Sequence, residues 1–66
     1  MIDLTLNGEA RRVAAADLAA LMAEIGLADA VAATALNGEF VPKGRRAAAR
    51  LTSGDTVDVV APMQGG

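Results

Sequence analysis

The chain closes on VVAPMQGG, residues 59–66. Gly65 and Gly66 place a terminal carboxylate beyond two residues that carry no side chain. An end of this kind suits entry into another protein's active site. Glycines have no Cβ to clash in a narrow channel, and they reach φ values closed to other residues. Pro62 stiffens the exit from the preceding apolar run. Met63 offers a soft, adaptable contact. At ordinary glycine usage two terminal glycines arise by chance in about 0.5% of chains. The pair therefore acquires meaning only from the domain behind it.

Little else in the chain is equipped for chemistry. There is no cysteine, so no disulfide framework, thiolate nucleophile or thiolate metal site. There is no histidine either, which removes the commonest metal ligand and the usual general base near neutral pH. Asp3 and Asp58 fit one sheet face as a carboxylate pair, but a solvated face is the simpler reading. Arg45, Arg46 and Arg50 form the one basic cluster, read as solvated surface. The net charge is −2 with the charges interspersed, and Phe40 is the single aromatic. Phosphate-backbone binding needs a concentrated basic surface and base stacking needs aromatics, so nucleic acid is not an expected partner. No P-loop GxxxxGK[ST] is present to hold nucleotide phosphates.

The elements that must position the tail follow from periodicity. Ile2, Leu4 and Leu6 alternate with Asp3 and Thr5, a half-buried strand. Asn7-Gly8 is a hairpin turn, since both residues tolerate positive φ. Glu9 to Val13 is the returning strand. Asp17 is placed to cap a helix. Leu18, Leu21, Met22 and Ile25 fall on one helical face, and Gly26 stops the helix at C′. Ala33 to Leu36, Asn37-Gly38 and Glu39 to Val41 make a second hairpin, which Pro42 ends. LNGE occurs at 6–9 and 36–39, but the flanks differ, so two hairpins share turn chemistry rather than a repeat. Residues 43–50 read as a helical turn or a loop. Ser53-Gly54-Asp55 is a turn, with Asp55 as turn former. Thr56 to Val60 is the last strand, with Val57 and Val59 on one face and Asp58 and Val60 on the other.

One helix over one sheet face gives a two-layer α+β domain. With the last strand central beside the first, this is a β-grasp fold: four to five strands in a mixed sheet packed on one main helix. The domain spans 1–61 and residues 62–66 form a flexible tail. The 53% hydrophobic content includes sixteen alanines, which leaves nineteen larger apolar residues for a core. A domain of this size buries only about 60% of its unfolded surface. The N-terminus lacks a signal peptide's basic start and long apolar run. No apolar stretch has transmembrane length. The expectation is a cytoplasmic protein, away from membranes and monomeric when free.

ALNGEFVP at 35–42, SGDTVDVV at 53–60 and QGG at 64–66 resemble the ThiS family, the ubiquitin-like sulfur carriers of thiamine thiazole synthesis. The resemblance covers essentially the whole chain. One departure is Arg46, where relatives often carry an aromatic. The resemblance implies a carrier and not an enzyme. Its Gly66 carboxylate would be adenylated by an E1-like enzyme using ATP and Mg. A sulfur donor system would convert it to a thiocarboxylate, and thiazole synthase would take the sulfur. The chain itself would bind no cofactor or metal. Gly65, Gln64, Met63 and Val60 are the expected partner-binding residues, Val60 lying on the uncovered sheet face. Phe40 is left open between core and docking surface. The related small subunit of molybdopterin synthase shares the fold and terminus. A ubiquitin-like modifier would instead join Gly66 to target lysines, and a plain interaction module would not use the glycines at all.

Overall fold

A computed structural model describes residues 1–61. β1 (Ile2–Leu6) and β2 (Glu9–Val13) form the first hairpin, α1 (Leu18–Glu24) follows, and β3 (Ala33–Leu36) and β4 (Glu39–Val41) form the second hairpin. A 3₁₀ segment, Lys43–Ala48, leads back to β5 (Thr56–Val60). The sheet order is β2-β1-β5-β3-β4. β5 runs parallel to β1 and antiparallel to β3, so the last strand is central and the sheet is mixed.

Both hairpin turns obey their sequence. Asn7 and Gly8 have φ of 50° and 83°, and Asn37 and Gly38 have 51° and 85°. Two consecutive positive values give the turn whose twist matches the flanking strands. The register is then fixed: Leu6 faces Glu9, and Leu36 faces Glu39.

α1 is short, so its ends matter. Asp17 Oδ1 accepts the Ala20 amide at 2.8 Å, a cap worth about 1 kcal/mol. At the other end Gly26, at φ 83°, lets its amide reach Ala23 O at 3.1 Å and the Leu27 amide reach Met22 O at 2.7 Å. These two bonds close a Schellman motif and satisfy carbonyls the helix leaves open. Glu24 reaches back across the entry loop and accepts the amides of Ala14 at 3.1 Å and Ala15 at 3.0 Å.

Leu18, Leu21 and Met22 press this helix against Leu4 and Leu6 of β1, Val13 of β2, and Val57 and Val59 of β5. Leu51 and Ala15 complete the buried cluster, while Ile2 and Ile25 are only partly buried at its margin. Each fully buried Leu or Met contributes about 1.5–3 kcal/mol, so these few side chains carry the fold.

Arg46 corrects the expected solvated cluster. It is 4% exposed, whereas Arg45 and Arg50 are exposed. Its Nε donates to Thr34 Oγ1 at 3.1 Å and its Nη2 to Ala32 O at 2.6 Å. The 3₁₀ segment turns residue 46 inward, and the two oxygens meet polar hydrogens that burial would otherwise strand. Thr34 is 1% exposed, and its hydroxyl is satisfied there by also donating to Val41 O, at 2.7 Å.

Candidate functional site

The candidate site is built on β5. Val59 points into the core, Val60 points out, and Ala61 is exposed. Pro62, Met63, Gln64, Gly65 and Gly66, the expected tail and its reactive end, lie outside the described residues. The central strand therefore leads toward them from the end of the sheet where β3 begins, with Val60 paired to Ala33.

Pairing decides what surrounds Val60. Directly opposed residues share a face. Ala33 faces Val60, Ala35 faces both Asp58 and Phe40, and Thr34 faces Val59 and Val41. Thus Val60, Ala33, Ala35 and Phe40 lie on the uncovered face, and Thr34 lies on the helix side. Phe40, which the sequence leaves open, is 68% exposed and Val60 is 66% exposed. Val31, in the loop before β3, is 80% exposed. These side chains line a groove of about 430 Å³ with Lys43 and Arg46. On the other side of Phe40 a second groove runs past Val41, Pro42 and Arg45. Three large apolar side chains this exposed and this close mark an interaction surface more than scattered exposure does.

The same face is polar at its other edge. Arg12 Nε donates to Asp3 Oδ1 at 2.8 Å across the β1–β2 pair. The hydrogen bond from Arg12 holds the Asp3 carboxyl below the usual range. Asp58 does not join it. The β1–β5 register sets Thr5 against Thr56, which puts position 3 level with position 54. Asp58 is four positions further on, about 13 Å along the strand. The structure does not bring these two carboxylates together. Among the described residues no three His, Cys, Asp or Glu side chains gather as metal ligands. No helix among them is long and apolar enough to cross a membrane.

Asp55 sits behind the β5 entry as a turn former. It accepts the Thr52 amide at 2.8 Å and the Asn37 side-chain amide at 3.1 Å. The Thr52 amide, then Asn37, hold its carboxyl below the usual value.

Sequence reading missed Val31 and Lys43 as neighbours of Val60. Lone residues in a loop and a basic stretch carry no periodic signal. The pairing of Val60 with Ala33 is what brings the end of the 27–32 loop alongside.

Comparison with known proteins gives a consistent result. The ThiS family model matches residues 4–66. The crystal structure of the thiamine biosynthesis protein ThiS from Geobacter metallireducens has a TM-score of 0.81 and 29% identity, covering 98% of this chain and 100% of that one. No curated protein matches the chain. With a family match from Leu4 through the terminal glycines, on a fold shared nearly end to end, the chain belongs to the ThiS family.

Proposed function

We propose that the chain is a sulfur carrier protein of thiamine biosynthesis, a co-substrate of partner enzymes and not a catalyst. The observation that carries this reading is the family match over 4–66, which runs through the QGG end. The placement of β5 supports it: the strand that precedes the tail is central in the sheet, beside an exposed apolar face.

The chemistry explains the division of labour. A carboxylate is a poor acyl donor, because displacement would expel oxide. An E1-like enzyme, with ATP and Mg, joins the Gly66 carboxylate to AMP and releases pyrophosphate. A sulfur nucleophile from a donor system then attacks the carbonyl, AMP leaves, and a C–S bond replaces a C–O bond. Thiazole synthase accepts the sulfur from the resulting thiocarboxylate. Gly65 and Gly66 thread the active site, and Gln64, Met63 and Val60 contact the partner. Ordering a tail costs about 1–2 kcal/mol per residue fixed, and the Phe40–Val60 face supplies the area that offsets it.

The test is intact mass after incubation with an E1-like enzyme, ATP and a sulfide source. A gain equal to replacing one oxygen by sulfur, absent when Gly66 is deleted or one residue is added after it, is expected. An unchanged mass, with an enzyme active on another ThiS carrier, overturns the reading. Delivery of the sulfur to molybdopterin synthase in place of thiazole synthase would redirect the pathway.

A further inference from the structure

Four of the six cationic residues fall within KGRRAAAR, residues 43–50, a stretch with no acid. Two of them, Lys43 and Arg46, line the groove with Val31, Phe40 and Val60, and among the described residues no carboxylate lines it with them. Arg46 is 4% exposed, and the oxygens it meets belong to neutral groups, Thr34 and Ala32. Among the described residues no carboxylate pairs with it, and its charge is poorly screened, since attraction strengthens where water is excluded. Lys43 is exposed at the same groove.

This restricts what can cover the groove. A purely apolar partner would bury Phe40, Val31 and Val60 favourably. It would also strip water from Lys43, in front of the already buried Arg46 charge, with nothing in return, and an uncompensated desolvated charge is costly. A partner segment with a carboxylate between apolar residues satisfies both demands.

We propose that this groove receives, from the adenylating enzyme, a segment carrying an acidic side chain flanked by apolar ones, the carboxylate meeting Lys43 with the Arg46 charge behind it. The proposal rests on the carrier reading and adds the chemistry by which the partner is recognised. Phe40 and Val60 supply area, and the two cations supply selectivity and register.

The experiment titrates the chain calorimetrically into an E1-like enzyme that thiocarboxylates another ThiS carrier, at low and high NaCl. Wild-type binding weakens with salt. Lys43→Met weakens it about threefold and flattens the salt dependence, and Lys43→Glu weakens it about tenfold or more. The same reversal at Arg11, on the far edge strand, leaves the affinity unchanged. Arg46→Met, checked by thermal melt for folding, also flattens the salt dependence. Equal affinity for wild type and Lys43→Glu overturns the proposal, as do a salt-independent affinity and an equal loss at Arg11. Absence of wild-type binding overturns it too. Self-association in sedimentation that Lys43→Glu abolishes would assign the groove to a second copy. Mass gain of the wild-type chain is measured in parallel. If sulfur is gained while Lys43→Glu binds normally, the groove proposal fails and the carrier reading stands.

Discussion

Asn7 Oδ1 accepts the amide of Val59 at 2.8 Å, a contact between residues fifty-two positions apart. The Asn7 amide donates to Val57 O at 2.9 Å. The backbone of β1 must leave the sheet here to turn into β2, so the side chain continues the parallel ladder for one more step. The other hairpin does the same from the opposite side. Asn37 donates its amide to Thr56 O at 2.7 Å and accepts the Thr56 amide on Oδ1 at 2.9 Å. The shared LNGE therefore does more than turn the chain. Each asparagine supplies positive φ and fastens its hairpin to β5, the strand that leads to the tail.

Separating those two roles takes two substitutions. Asn7→Gly keeps the positive φ and removes only the acceptor, so the Val59 amide loses its partner. A loss of about 1–2 kcal/mol is expected. Asn7→Ala adds the cost of a left-handed Cβ, about 1–2 kcal/mol more. Urea melts of the two variants check the order. Equal stability of Asn7→Gly and wild type would show that the asparagine serves the turn alone.

What was legible in the sequence was what is local. Strand and helix bounds followed from period and turn residues, and Asp17 and Gly26 from cap chemistry. The outward phase of Val60 followed from TVDVV. What was hidden depended on distant partners. In ATAL the polar residue, Thr34, faces the core, and Ala33 and Ala35 face outward. The rule that apolar residues point inward fails there, and with it any assignment of Phe40. Thr34 tolerates burial because its hydroxyl donates to Val41 O and accepts from Arg46, twelve positions away, and nothing in KGRR separates Arg46 from Arg45. The Phe40–Val31–Lys43 surface could not be assembled without that strand phase.

Arg46 tests whether its buried charge stabilises the domain or only fills space. Thr34 keeps its bond to Val41 O without it. Arg46→Met, which preserves most of the volume, is expected to change stability by less than about 1.5 kcal/mol, since apolar replacement of buried charge is often neutral or stabilising. Arg46→Ala, which leaves a cavity, is expected to cost about 2–4 kcal/mol. Thermal melts of both decide. A severe loss in Arg46→Met would show that the hydrogen bonds to Thr34 and Ala32 dominate.

The Asp55 carboxyl is depressed in the folded chain by the Thr52 amide and then by Asn37. A depressed folded value means the unfolded chain binds the proton more readily. The stability this group contributes is present above its ordinary value of 3.8 and is lost as pH falls below it, through the folded value. Asp3, held down by Arg12, acts in the same direction, though its full exposure makes that contribution salt-sensitive. Melting temperature should therefore fall as pH drops below 3.8. Asp55→Asn should lower it at pH 7 and shrink the acid-dependent fall. An undiminished fall in that variant would place the acid sensitivity elsewhere.

Val59 and Val60 are adjacent and opposite, one in the core and one 66% exposed. The same substitution at the two sites should part folding from docking. Val59→Asp buries a charge among Leu and Val side chains and is expected to unfold the domain, since uncompensated burial costs several kcal/mol. Val60→Asp changes only the surface, so its stability should stay within about 0.5 kcal/mol of wild type. Its cost is expected instead in binding to the proposed adenylating partner. The new carboxylate would lie in the groove where Lys43 and Arg46 await a partner's acid, and would both neutralise them and repel it. A folded Val60→Asp that binds as tightly as wild type would remove this face from the docking surface and leave the tail alone to carry recognition.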